Sequence, residues 1–143
     1  MVIGLRAVGL GWVVALTWLS LGCSGGEQLL PVEGTAYVDG RPLKNGSLLF
    51  KPDASKGNNG TLEPAAQIGA DGKYKLYTTQ KPGAPPGWYK VIVIATEPID
   101  PNDLYAPRKS YIHAKYSAEQ TTDAALEVVA KPEPGAYDLQ LKK

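Results

Sequence analysis

Asp39-Gly40, Asn45-Gly46 and Asp71-Gly72 fall between short runs of alternating apolar and polar residues. Glycine takes positive φ without strain, and Asp or Asn bonds its own backbone, so such pairs reverse a chain within two residues. A chain punctuated in this way builds short strands joined by tight turns rather than long helices. Twelve Pro and sixteen Gly in 143 residues reinforce that reading.

The runs between the turns have a period of two. Val32, Gly34, Ala36 and Val38 share one face, and Glu33, Thr35 and Tyr37 the other. This predicts a half-buried strand over Val32–Val38. A second strand is expected over Ser47–Lys51, ended by Pro52, which lacks a donor. Short strands follow over Gln67–Gly69 and over Tyr74–Thr78, where Tyr74 and Leu76 share a face. Tyr89–Thr96 is the strongest segment. Its Val91, Ile92, Val93 and Ile94 predict a central strand covered on both faces. Ala125–Ala130 and Tyr137–Leu141 complete about seven strands, the pattern of an all-β antiparallel sandwich. Residues 53–66, the KPGAPPG stretch at 81–87 and the long segment 97–123 read as connections.

The amino-terminal residues are of a different kind. Arg6 precedes an uncharged run, Ala7 to Gly22, rich in Val, Leu and Trp. The run is short for a membrane-spanning helix and fits a cleaved secretory signal. It ends at Cys23, the only cysteine, followed by the polar Ser24-Gly25-Gly26-Glu27. An intramolecular disulfide is therefore impossible. The junction resembles a lipobox, the site where signal peptidase II cleaves before a lipid-modified cysteine. Gly22 fits that pattern; Ser20 stands where it usually has Leu, with Leu19 and Leu21 on either side. The expected organisation is a signal peptide over 1–22, a lipidated Cys23 with a flexible tether over 23–30, and a sandwich over 31–143. The protein is then exported and membrane-anchored, on a periplasmic or cell-surface face. A plain signal peptide and an uncleaved signal anchor are the alternatives.

Three stretches carry a family resemblance. They are Val32-Glu33-Gly34-Thr35 through Asp39-Gly40-Arg41-Pro42-Leu43 to Phe50-Lys51-Pro52, then Asp71-Gly72-Lys73-Tyr74, then Pro82 to Val91. In that order they resemble the small planctomycete-type lipoproteins that carry a carboxypeptidase-regulatory-like, transthyretin-like domain. Ile112-His113-Ala114-Lys115-Tyr116 is similar to that family's I-P-x-K-Y motif, with His113 in place of Pro. The resemblance implies a seven-stranded Greek-key sandwich. It implies an accessory, binding or structural role more than an assigned chemistry.

The residues themselves argue against an enzyme. Catalysis needs convergent acid, base or nucleophilic groups. His113 is the only histidine and has no partner pattern around it, and no G-x-S-x-G elbow occurs. Transthyretin-like enzymes that open a urate-derived ring use several His and Arg residues and a Tyr-Arg-Gly-Ser tail, whereas this chain ends Asp138-Leu139-Gln140-Leu141-Lys142-Lys143. Asp100, Asn102 and Asp103 lack calcium-loop spacing and read as solvated turn residues, so no metal or other cofactor is expected. A net charge of +1 without a basic block argues against nucleic acid.

The expected partners are the membrane, through the lipid on Cys23, and an envelope protein or glycan. Contact candidates lie in the long segment: Tyr105, Arg108, Tyr111, His113 and Tyr116. Exposed aromatics beside cations stack on sugars or anchor interfaces. The competing reading is that Tyr111 and Tyr116 simply pin the segment to the sandwich.

Overall fold

The alternating runs pair into two sheets in a computed structural model, which describes residues 26–143. Cys23 and the signal segment lie outside the described residues. In chain order the strands are β1 (Glu33–Val38), β2 (Arg41–Pro42), β3 (Gly46–Pro52), β4 (Ala65–Ile68), β5 (Lys73–Lys75), β6 (Tyr77–Thr78), β7 (Lys81–Pro82), β8 (Gly87–Ile94), β9 (Ala125–Val128) and β10 (Leu139–Leu141). Two 3-10 turns, Ala54–Lys56 and Ala114–Ser117, are the only helical elements among the described residues.

The larger sheet has the order β7-β6-β4-β3-β8-β9 and is antiparallel throughout. In the smaller, β1 is flanked by β10, with β2 and β5 also paired to it. The β1–β10 pair is parallel, Ala36 opposite Leu139 and Val38 opposite Leu141. Antiparallel pairing was expected throughout. The parallel pair arises because β10 reaches β1 through residues 129–138 instead of through a hairpin.

The core lies between the sheets. Val32, Ala36, Tyr74, Leu76, Leu139 and Leu141 meet Leu48, Phe50, Tyr89, Val91, Val93 and Val128. Burying each of the larger side chains contributes about 1.5–3 kcal/mol. Two buried tyrosines dispose of their hydroxyls locally. Tyr89 donates to the Pro85 carbonyl at 2.8 Å, and Tyr74 donates to the Tyr137 carbonyl. Gly34 sits opposite Tyr74, where a Cβ would collide with the Tyr137 carbonyl, so only glycine fits.

The three turn signals all fall between strands, but only Asp39-Gly40 joins a paired hairpin. Asp39 and Gly40 both have positive φ, 47° and 79°, which matches the mirror-image turn that joins twisted strands. Asp71-Gly72 turns the chain from β4 of the larger sheet to β5 of the smaller, with the Gly69 N–H donating to the Lys73 carbonyl. Asn45-Gly46 instead opens β3. Leu43, just before it, packs into the core at 2% exposure.

Two expectations change. Tyr74–Thr78 is one run in sequence but divides at Leu76. The Leu76 N–H bonds Val32 of the smaller sheet, and its carbonyl accepts from Gly83 beside the larger. The chain thus crosses between layers at a single buried residue. The second concerns β8, which is central, between β3 and β9, but not covered twice. Tyr89, Val91 and Val93 are buried on the inner face, whereas on the outer face Ile92 is 9% exposed and outside the core cluster and Ile94 is 52% exposed. An antiparallel sheet needs only one covered face, and the β-branched run reflects strand propensity.

Candidate functional site

The strand directions give the sandwich two ends. Leu30 and the connections 53–64, 79–86 and 129–138 gather at one. The connections 39–45, 69–72 and 95–124 gather at the other. The first end is closed by specific bonds. Leu30 and Ala84 form a two-bond bridge, 2.8 and 2.9 Å. Thr78 Oγ1 donates to the Gly83 carbonyl at 2.7 Å, and Asn58 Nδ2 to the Trp88 carbonyl at 2.9 Å. Asp53, nearly buried, accepts from the Ser55 hydroxyl and N–H, and these bonds hold its carboxyl below the usual range. Lys56 lies over the Trp88 ring at 4.0 Å.

The second end holds a cavity of about 500 Å³. Its wall begins at Val38, the last residue of β1, and continues through the turn to Leu43 and Asn45. Tyr111 and Lys143 close it from the carboxy-terminal part of the chain. Arg41, Lys44 and Lys143 bring three cations beside Asp39. Among the described residues none of the three cations has an ion-pair partner within 4.0 Å; the three pairs found are Lys51–Glu63, Lys75–Glu33 and Lys115–Asp123.

Asn45 separates this cavity from a shallower hollow of about 300 Å³ beside Arg108, Thr96 and Glu97. Its Oδ1 is closed off from water and has no donor. An unpaired buried polar atom costs about 1–3 kcal/mol. A third, wide groove of about 860 Å³ runs along β4 and β5, floored by Ala65 and Gly69 and flanked by Tyr77, Lys73 and the Glu33–Lys75 pair.

The five contact candidates do not come together. Tyr105 is 97% exposed on the outer part of the long segment, with Ile99 and Leu104 also exposed. Arg108 lies on the shallow hollow and Tyr111 on the cavity, so these two occupy neighbouring sites that share Asn45. Tyr111 is held there by its N–H, which donates to the Ala95 carbonyl at 2.8 Å. His113 caps the second 3-10 turn: its Nδ1 accepts from the Lys115 N–H at 3.1 Å, and its own N–H donates to the Lys142 carbonyl. Tyr116 is 3% exposed and its hydroxyl accepts from the Lys142 N–H. Packing therefore accounts for Tyr116, and turn geometry for His113.

Arg41, Lys44, Asn45 and Lys143 escape a sequence reading because they converge from opposite ends of the chain. The only local signal is a pair of cations flanking Pro42-Leu43. Among the described residues no group of three or more His, Cys, Asp or Glu is placed to hold a metal ion. No helix among them is long and apolar enough to cross a membrane. Comparison with protein-family models, with curated proteins and with solved structures finds no match.

Proposed function

We propose that this protein is an exported envelope lipoprotein, anchored through a lipid on Cys23, whose sandwich serves as a non-catalytic interaction module. The observation that carries the reading is the Leu30–Ala84 bridge. Leu30 was expected in a flexible tether, yet it is pinned to the folded body. Only six residues, 24–29, or seven Cα–Cα steps, then separate the lipidated cysteine from Leu30. Fully extended they span at most about 25 Å. Such a short link suits a domain that works close to a membrane surface, with its well-bonded end inward. Several acyl chains on one cysteine give stable attachment, at about 0.8 kcal/mol per buried methylene.

The finer fold belongs to the same proposal. If β5 and β6 count as one strand bent at Leu76, and the two-residue β2 and β7 are set aside, seven principal strands remain. That number suits the seven-stranded Greek-key, transthyretin-like sandwich of the lipoproteins this chain resembles.

A second reading has its own support. The cavity beside Tyr111 suits a carbohydrate or small-ligand binder that uses part of the segment 97–123.

Cross-linking in intact cells, followed by capture of the full-length protein, tests the first reading. One recurrent envelope protein is the expected product. Recovery of none across cross-linkers of different chemistry contradicts an interaction role.

A further inference from the structure

We infer that the cavity at the Val38 end binds a small organic carboxylate with an apolar ring or chain. The inference deepens the ligand-binding reading and does not depend on lipidation.

The size is appropriate. A cavity of about 500 Å³ lies within the roughly 300–1,000 Å³ typical of small-molecule sites. Its chemistry is divided. Val38, Pro42, Leu43 and the Tyr111 ring supply an apolar body site. Arg41, Lys44 and Lys143 supply positive charge at the rim.

Among the described residues only Lys51, Lys75 and Lys115 are paired with a carboxylate, so an unpaired cation is ordinary here, and what sets this cavity apart is the convergence of three on one lining. At the cavity Arg41, Lys44 and Lys143 share a lining whose one acidic side chain is Asp39. Arg41 is set at the mouth by the Asp39-Gly40 turn and by pairing of β2 with Val38. A guanidinium so placed offers a planar fork that matches a carboxylate.

The wall also has reason to yield. Asn45 carries a buried Oδ1 without a donor, so turning its side chain toward a ligand costs no existing bond at that atom. The site faces away from the pinned end. Eight residue-to-residue steps, Leu30 to Val38, put about 25 Å between them at strand rise. On a membrane-anchored molecule the cavity would open toward the compartment.

The test uses the full chain in mild detergent, with phenylacetate as probe and neutral phenylacetamide as its matched control. Backbone amide NMR follows the titration. Phenylacetate should shift the Val38, Leu43 and Tyr111 signals saturably, and phenylacetamide should bind at least about tenfold more weakly. The double substitution Arg41→Gln, Lys44→Gln should weaken phenylacetate by a similar factor while leaving signals of the β3 and β8 core unmoved. Both side chains are exposed, so folding is expected to survive. Equal binding of the amide, an undiminished response in the double variant, or no saturable shift up to about 10 mM overturns the inference. Inorganic phosphate that reproduces the same shifts at equal strength overturns the apolar half of it.

Discussion

The two ends of the sandwich are built from similar material and finished differently. Both are made of Gly-rich and Pro-rich connections. At the Leu30 end the turns are tied by buried hydroxyls and a backbone bridge, as at Thr78–Gly83, Tyr89–Pro85 and Leu30–Ala84. At the Val38 end a cavity opens, Asn45 Oδ1 lacks a donor, and Ile99, Leu104 and Tyr105 face solvent. The lesson is that loop composition does not decide whether a loop packs. Hydrogen bonds to buried partners do, and the end where one buried polar atom lacks such a partner is the end that leaves a cavity.

The largest contrast should appear at the closed end. Thr78→Val removes the donor to the buried Gly83 carbonyl and should cost about 1–3 kcal/mol in chemical denaturation. A smaller cost would mean that the end is held by packing alone.

Tyr74 comes next, because its hydroxyl secures Tyr137 beside Gly34. Tyr74→Phe should cost about 0.5–1.5 kcal/mol at neutral pH. Burial, helped by the Asp138 carboxylate, raises its phenol well above the ordinary 10.0. A phenol raised on folding favours the protonated native state. Its contribution is therefore intact below pH 10 and is lost as pH rises past that value. Thermal melts of the wild type should fall off above pH 10 more steeply than those of Tyr74→Phe. Parallel curves would remove Tyr74 as the cause.

At the open end the sign should reverse. Asn45→Leu replaces an unsatisfied amide by an apolar group of similar size. It should change stability by less than about 1 kcal/mol, toward stabilisation. A loss above 2 kcal/mol on that same scale would show that Asn45 is bonded in solution. Smallest of all is Tyr105→Ser, expected within about 0.5 kcal/mol of wild type. Limited proteolysis should at the same time cut within residues 98–107 before it cuts the Ala84 connection.

Much of the fold could be read from alternation and Asx-Gly pairs, since both are local. Val32–Val38, Ser47–Lys51 and Tyr89–Thr96 each contain a strand within two residues of the expected bounds. What could not be read is long-range. The layer change at Leu76 depends on partners at Val32 and Gly83. The parallel β1–β10 pair depends on a return across about a hundred residues, as the Thr35–Asp138 bond shows with a separation of 103. The site was less legible still. Tyr105, Tyr111 and Tyr116 look alike in sequence, but one is solvated, one lines the cavity and one is core. Arg41 and Lys44 showed only as cations flanking Pro42-Leu43, and Asn45 only as a turn residue, until residues 111 and 143 were brought to them.

The proposed anchoring at Cys23 would orient the two ends, and intact mass measurement of the protein from native membranes tests it most directly. The account predicts a chain of 121 residues (143 minus 22) that begins at Cys23 and carries the added mass of several acyl chains. Cys23→Ala should then leave the membrane fraction or accumulate unprocessed. An unlipidated Cys23, or a Cys23→Ala protein retained on membranes with the wild-type mature mass, would contradict it.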